Sequence, residues 1–270
     1  NIFAVFNVTE QEKAALKHFS SLPYSDLKKG DYVISDIHIC GEKHDDRFGA
    51  KHIGESGTAS LKYLKHNYYE NEDGNKLEFV LKDDKTEVVV HYQFYKNISA
   101  IRAWKTIKNI SDDKVGLEYI SSFSYTGIND ENLKIMIPHN SWCSEVDWEE
   151  FTLEQLGMKK YRANLSKRIS ISNTGSWSAK EYLPMAAAVS DKEALIWQIE
   201  NNGSWQWEIG EMDNLLYLKL SGPNEQENSW YKELLPGESF ESVKACVAVC
   251  YVLCVYTLNR NSTMSPSCMT

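Results

Sequence analysis

The sequence predicts an all-β protein: a large antiparallel sandwich of two sheets with few short helices. Three observations carry that expectation. Apolar and polar residues alternate with period two along most of the chain. In "TEVVVHYQFY", Val88, Val90, Tyr92 and Phe94 fall on one side and Val89, His91, Gln93 and Tyr95 on the other, which is the strand pattern. The gaps between such runs carry turn chemistry: "NEDGNK", "KDDK", "SDDK", "SGPNEQEN" and "LPGES". No strand–helix alternation runs through the chain, and no Gly-rich phosphate loop follows a strand. A doubly wound α/β fold and a nucleotide site are thereby set aside. Roughly 18–22 strands of ordinary length fit this chain.

Taken in chain order, "TEQEKAALKH" is ambiguous. Thr9 and Glu12 have capping-box spacing, but strand-like segments flank the stretch, so a hairpin competes equally with a helix. "SAIRAWKTIKN", "VGLEYISSFSY", "SKRISISNTGSWS", "NLLYLKLSG" and "SFESVKACVAV" read as strands. "TLEQLGMKK" is one or two helical turns at most, with Gly157 placed to end it. "IWQIENNGSWQWEIG" has Asn202-Gly203 at its centre, the signal for a type I′ hairpin. In that register Glu200 faces Trp205 and Gln198 faces Trp207, so both faces mix aromatic and polar groups. Two readings stand: a sugar platform built on Trp205 and Trp207, or a sheet rim with half-covered indoles.

The chain has 270 residues, is 42% hydrophobic and carries a formal net charge of -9. It is long enough for a substantial core. The acidic balance argues against nucleic acid as a partner, because phosphate binding needs a basic surface. The 8 Trp and 15 Tyr fit carbohydrate handling and equally fit a β core. The six Cys include no C-x-x-C pair, and Cys246, Cys250 and Cys254 read as part of a buried apolar segment rather than a zinc site. The run "ACVAVCYVLCVYTL" is shorter than the ~20 residues of a membrane span. The opening "NIFAVFNVTEQEK" lacks signal-peptide features, so no membrane partner and a cytoplasmic setting are expected.

Two clusters hold reactive side chains. "HNSWCSEVDW" contains His139, Cys143, Glu145 and Asp147. A zinc site needs three or four ligands, and no second ligand pair is evident. The surrounding acids would raise the thiol pKa that a Cys–His nucleophile needs lowered. A structured loop is the competing reading. The second cluster, "GEKHDDRFGAKH", reads as an exposed charged loop between strands. No metal and no cofactor is expected from these residues.

At these residues the chain resembles a family. "HNSWCSEVDWEEFTLEQLG", "LIWQIENNGSWQWEI" and "LYLKLSGPNEQENSWYKELLPGESFESV" are similar to successive segments of bacterial family 36 glycoside hydrolases, the α-galactosidase family. "LKYLKHN" and "IRAWKTIKNIS" sit at matching relative positions, so the resemblance runs from about Phe3 to Val249. It implies an N-terminal β-supersandwich of galactose-mutarotase-like fold over residues 1–250, in enzymes that continue into a (β/α)8 barrel and a small C-terminal β domain. Residues 251–270 match nothing expected of the family and read as a frameshifted or truncated tail.

The family is retaining and needs two carboxylates about 5–5.5 Å apart, both Asp in the barrel. Lys82-Asp83-Asp84 matches the nucleophile pattern by letters only, inside a polar turn, and is rejected. The resemblance therefore implies a non-catalytic domain that packs on the missing barrel, supports a homo-oligomer and borders the pocket for an α-galactoside. "DDRFG" resembles a substrate-contacting loop element with its order changed. Asp46 would accept hydroxyl hydrogen bonds, and Arg47 would fix the loop or a hydroxyl. His139 and Glu145 keep a claim on a sugar. The alternatives are a stand-alone carbohydrate-binding module, or a mutarotase-like enzyme with His139 as acid and Glu145 or Glu208 as base.

Overall fold

A computed structural model describes residues 2–24, 34–42, 51–53, 56–128, 131–158, 167–212 and 215–251. Within them run β1 (Phe3–Val8), β2 (Ala14–Ser20), β3 (Ile37–Ile39), α1 (Ser56–Ser60), β4 (Lys62–Glu70), β5 (Gly74–Lys82), β6 (Thr86–Tyr95) and β7 (Ala100–Asn109). Next come β8 (Val115–Ile128), β9 (Lys134–Ser141), β10 (Ser144–Thr152), β11 (Arg168–Asn173), β12 (Met185–Val189), β13 (Glu193–Glu200) and β14 (Trp205–Met212). The last are β15 (Leu215–Ser221), α2 (Glu225–Asn228), β16 (Lys232–Leu234), β17 (Ser239–Glu241) and β18 (Lys244–Tyr251). No helix among the described residues is long and apolar enough to cross a membrane. The tail expected after Tyr251 lies outside the described residues.

Two large antiparallel sheets face each other, as expected. One has ten strands in the order β10-β9-β12-β13-β18-β7-β6-β5-β4, with β17 also paired to β7. The other has six, β11-β14-β15-β8-β16, with β3 paired to β8. Their inner faces share one core. Val88, Val90 and Tyr92 of β6, Trp197 of β13 and Val247 of β18 come from the large sheet. Trp205 and Trp207 of β14, Leu218 and Leu220 of β15 and Phe123 of β8 come from the small one.

The ambiguous "TEQEKAALKH" is a hairpin. β1 pairs with β2, and Glu12 adopts φ +59 in the turn. Ala14, Ala15, Leu16, Phe19 and even Lys17 are buried, so this segment is covered on both faces and a one-sided helix does not satisfy it. Phe6 packs on Phe79 and Tyr92 of the large sheet at 5.0 and 5.2 Å. Phe19 meets Phe123 of the small sheet at 5.8 Å, so the hairpin bridges the two layers. "TLEQLG" closes a single turn: Thr152 Oγ1 accepts from Gln155 N, and Gln155 Oε1 accepts from Thr152 N, a reciprocal cap. Gly157 follows at φ +74.

Gly74 opens β5 at φ +150, where an added Cβ would lie 2.2 Å from the Phe94 carbonyl oxygen. Only glycine fits that approach. At the far edge, β4 carries a bulge between Tyr63 and Lys65 and two lysines. Both features discourage a further strand from adding there.

One sequence-derived register fails. β13 and β14 are not a hairpin: β13 pairs with β12 and β18, and β14 pairs with β11 and β15. The Asn201–Ser204 connection therefore crosses from one sheet to the other. Cys246 and Cys250 also depart from the apolar reading. Ala245, Val247 and Val249 take the buried face of β18, and period two turns the two thiols toward its partly exposed face.

Candidate functional site

The β9–β10 hairpin positions the first group of candidates. Its register sets His139 opposite Asp147 and Trp148 opposite Pro138, with a bulge between Ser144 and Asp147. Cys143 and Val146 take φ values of +63 and +59 to make the turn and the bulge. Asn140 is the pivot. Its Oδ1 accepts from Val146 N, its Nδ2 donates to Ala179 O, and its N donates to Glu181 O. The hairpin is thus tied to the 179–182 segment, where Tyr182 lies 5.1 Å from the His139 ring.

This geometry separates the expected pair. Glu145 Oε1 accepts from Cys143 N at 3.3 Å and braces the turn. The acid beside His139 is Glu149, 3.3 Å away. Glu208 belongs to the other sheet. His139 and Glu145 or Glu208 therefore do not converge as an acid and a base. Asp83 is a turn residue, accepting from Lys85 N and Thr86 N. What the hairpin does present is aromatic surface: Trp142 is 89% exposed, Trp177 in the adjoining loop 63%, and Val146 and Trp148 are also exposed.

Trp205 and Trp207 are not sugar platforms. Both are 0% exposed. Trp205 Nε1 donates to Ser178 O at 2.7 Å. Trp207 meets Trp197 nearly perpendicularly, with ring centroids 5.4 Å apart, across the gap between the sheets. The failed hairpin register is the reason. Once the two strands belong to facing sheets, their indoles point at each other and away from water. Asp46 and Arg47 lie outside the described residues.

The sequence reading passed over a second constellation, on the opposite side of the small sheet. Strand alternation aligns Ile171, Trp207, Leu220 and Phe123 in one row toward the core. It aligns Ser170, Glu208, Lys219 and Ser124 in the next row, facing away. Glu208, Lys219 and Ser124 of this polar row are nonetheless buried. Arg168 bonds both Glu208 and Glu227. Tyr217 Oη donates to Glu208 Oε1 at 2.9 Å, and His52 N donates to the same oxygen at 3.2 Å. Gln206, held by Asn224 at the N-cap of α2, donates to Ser170. Lys219 pairs with Asp36, which also accepts from Ser124 Oγ. Lys105, fully buried, donates to Ser121 O and Oγ. The signal was present in "QWEIG" and "LYLKLS", whose alternate residues are polar at positions that a one-sided sheet would expose.

The electrostatics follow from burial. Desolvation, then the neighbouring Arg168 charge, lowers the His52 pKa to about 3. Burial opposes the Arg168 charge, but Glu208 and Glu227 hold its pKa above the ordinary value. Burial drives the Lys105 pKa well down and the Tyr217 pKa well up. Each oxygen of Glu208 already has a donor, so its carboxyl is engaged in holding the network. The "GEKHDDRFGAKH" loop, expected to be solvated throughout, has a buried end: Lys51 and His52 are covered. Among the described residues no group of three or more His, Cys, Asp or Glu side chains could hold a metal ion.

Fold and site define a class: an all-β supersandwich domain with a network of paired charges on the outer face of its small sheet. The chain belongs to the glycosyl hydrolase family 36 N-terminal domain family, which matches residues 5–166. Among solved structures it is similar to the GH36 α-galactosidase AgaB from Geobacillus stearothermophilus, with TM-score 0.72 and 13% identity over 92% of this chain and 38% of that one. A variant of AgaA from the same organism, in complex with raffinose, matches with TM-score 0.70 and 13% identity over 93% and 39%. The α-galactosidase from Lactobacillus brevis matches with TM-score 0.68 and 13% identity over 93% and 38%. The chain thus spans about two fifths of the length of these relatives. A search of curated protein sequences returned no match.

Proposed function

We propose that this domain is the non-catalytic N-terminal part of a retaining, α-galactosidase-like glycoside hydrolase. It packs on a catalytic barrel, supports a homo-oligomer and borders the pocket for an α-galactoside. The observation that carries the reading is the shared fold: 92% of this chain matches only 38% of an α-galactosidase. The exposed Trp142, Trp148 and Trp177 support it, because an aromatic end is suited to covering by a second domain. Asp46, Arg47, His139 and Glu145 are assigned to the pocket border, where the carboxylates accept hydrogen bonds from sugar hydroxyls and Arg47 and His139 donate.

The test is direct. The chain alone, given a nitrophenyl α-galactoside, is expected to release no nitrophenol above the buffer rate. Calorimetry with raffinose, the ligand of the AgaA complex, is expected to show no binding tighter than millimolar. Turnover by the isolated chain would sink the proposal. Tight raffinose binding lost on His139→Ala would instead favour a stand-alone binding module.

A further inference from the structure

We propose that residues 51–53 form an acid-released latch on the outer face of the small sheet, closed while His52 is neutral and freed when its imidazole takes a proton. Three successive residues make the attachment. Lys51 Nζ donates to the Glu211 carbonyl. The His52 ring stacks on Tyr119 of β8, with centroids 3.9 Å apart and planes 4° from parallel, while its backbone N donates to Glu208. Ile53 packs with Met212 and Tyr217 in a small apolar cluster separate from the main core.

The middle residue is the unusual one. His52 is 97% buried, counted from its 3% exposure, yet neither ring nitrogen has a hydrogen-bond partner. The groups around it are Arg168 of β11, Glu208 of β14, Tyr119 of β8, His38 of β3, Asp36 just before β3 and Glu227 of α2; Glu211 and Tyr217 lie against its neighbours Lys51 and Ile53. Three of the nearby carboxylates hold other partners. Glu208 accepts from Arg168, Tyr217 and the His52 backbone; Asp36 holds Lys219; Glu227 holds Arg168. A proton arriving on the ring therefore finds burial and a guanidinium nearby, with neither ring nitrogen hydrogen-bonded.

That asymmetry sets the sign. In the closed state burial and Arg168 hold the imidazole pKa at about 3; once open, it returns toward its ordinary 6.5. Protons then favour the open state. Opening grows about tenfold per pH unit below 6.5 and reaches roughly 100-fold by pH 4.5. The latch rests on the contacts of residues 51–53 alone, so it stands or falls independently of the glycosidase reading.

Native-state hydrogen exchange on the intact chain tests it at pH 7.5, 6.0 and 4.5. After correction for intrinsic rates, protection of the 51–53 amides should fall about 100-fold by pH 4.5. Protection of the Trp207 and Leu218 amides should not follow. His52→Phe keeps an aromatic ring on Tyr119 but cannot take a proton, so its 51–53 protection should not change with pH. Unchanged protection in the native chain, an equal fall in the Phe variant, or loss of protection in every strand together would overturn the proposal. NMR of the His52 ring supplies the same reading without a substitution: the ring should remain neutral at pH 6, and a midpoint near 6.5 would overturn the latch.

Discussion

Replacing Lys219 with Met removes one member of a buried ion pair and leaves the other behind. The side chains of Lys219 and Asp36 are 2% and 1% exposed. In the variant the Asp36 carboxylate keeps the hydroxyl of Ser124 at 2.7 Å but no cation in direct contact. Breaking a buried pair from one side costs about 3–5 kcal/mol. Lys105 modifies that expectation. Burial pushes its pKa well down; Asp36 favours the charge, and Lys219 opposes it. With Lys219 gone, a proton on Lys105 offsets part of the loss. Lys219→Met should therefore cost more in a Lys105→Met background than in the native one, by about 1–3 kcal/mol. Urea denaturation reads both. With a slope of about 3 kcal/mol/M, a 3–5 kcal/mol loss moves the midpoint by roughly 1–1.7 M. A shift below about 0.3 M in both backgrounds would refute the buried-pair argument. Equal costs in the two backgrounds would refute the coupling to Lys105.

Three further outcomes are expected. Lys105 has a pKa lowered by burial below its ordinary 10.5, so between the two values the unfolded chain binds a proton that the fold excludes. Stability should then rise with pH through that window, up to 10.5, by up to about 1.4 kcal/mol per unit from this group, and urea midpoints of Lys105→Met should show a flatter profile. Trp207→Ala opens a cavity opposite Trp197 and should cost about 3–5 kcal/mol, while exposed Trp142→Ala should stay within ~0.5 kcal/mol; thermal melts of the two variants rank them. Asn140→Ala unties the β9–β10 hairpin from the 179–182 segment and should cost about 1–3 kcal/mol, with loss of amide protection at Val146 in hydrogen exchange.

Local pattern made most strands legible. Val88, Val90 and Tyr92 are buried on one face of β6 because a half-covered strand needs nothing beyond period two. Gly157 ends its turn because only a residue tolerant of positive φ closes it there. The errors arise where a partner strand is chosen at a distance. Asn202-Gly203 is the strongest local hairpin signal in the chain, yet the flanking strands pair elsewhere. Burial of Trp197, Trp205 and Trp207 between facing sheets outweighs a two-residue turn preference. The same choice moved Trp205 and Trp207 from a sugar-facing surface into the core.

The sequence by itself determined the all-β class, most strand positions and the family resemblance. All of these rest on residues close together in the chain or on motif order. Only the tertiary structure decided which strands share a sheet. It also decided that His139 meets Glu149 rather than Glu145, and that Asp36, His52, Lys105, Glu208 and Lys219 are buried, with half-buried Arg168 beside them. The physical reason is that the cost of burying a charge depends on neighbours up to 183 residues away, and alternation along one strand does not record which opposite charge will face it.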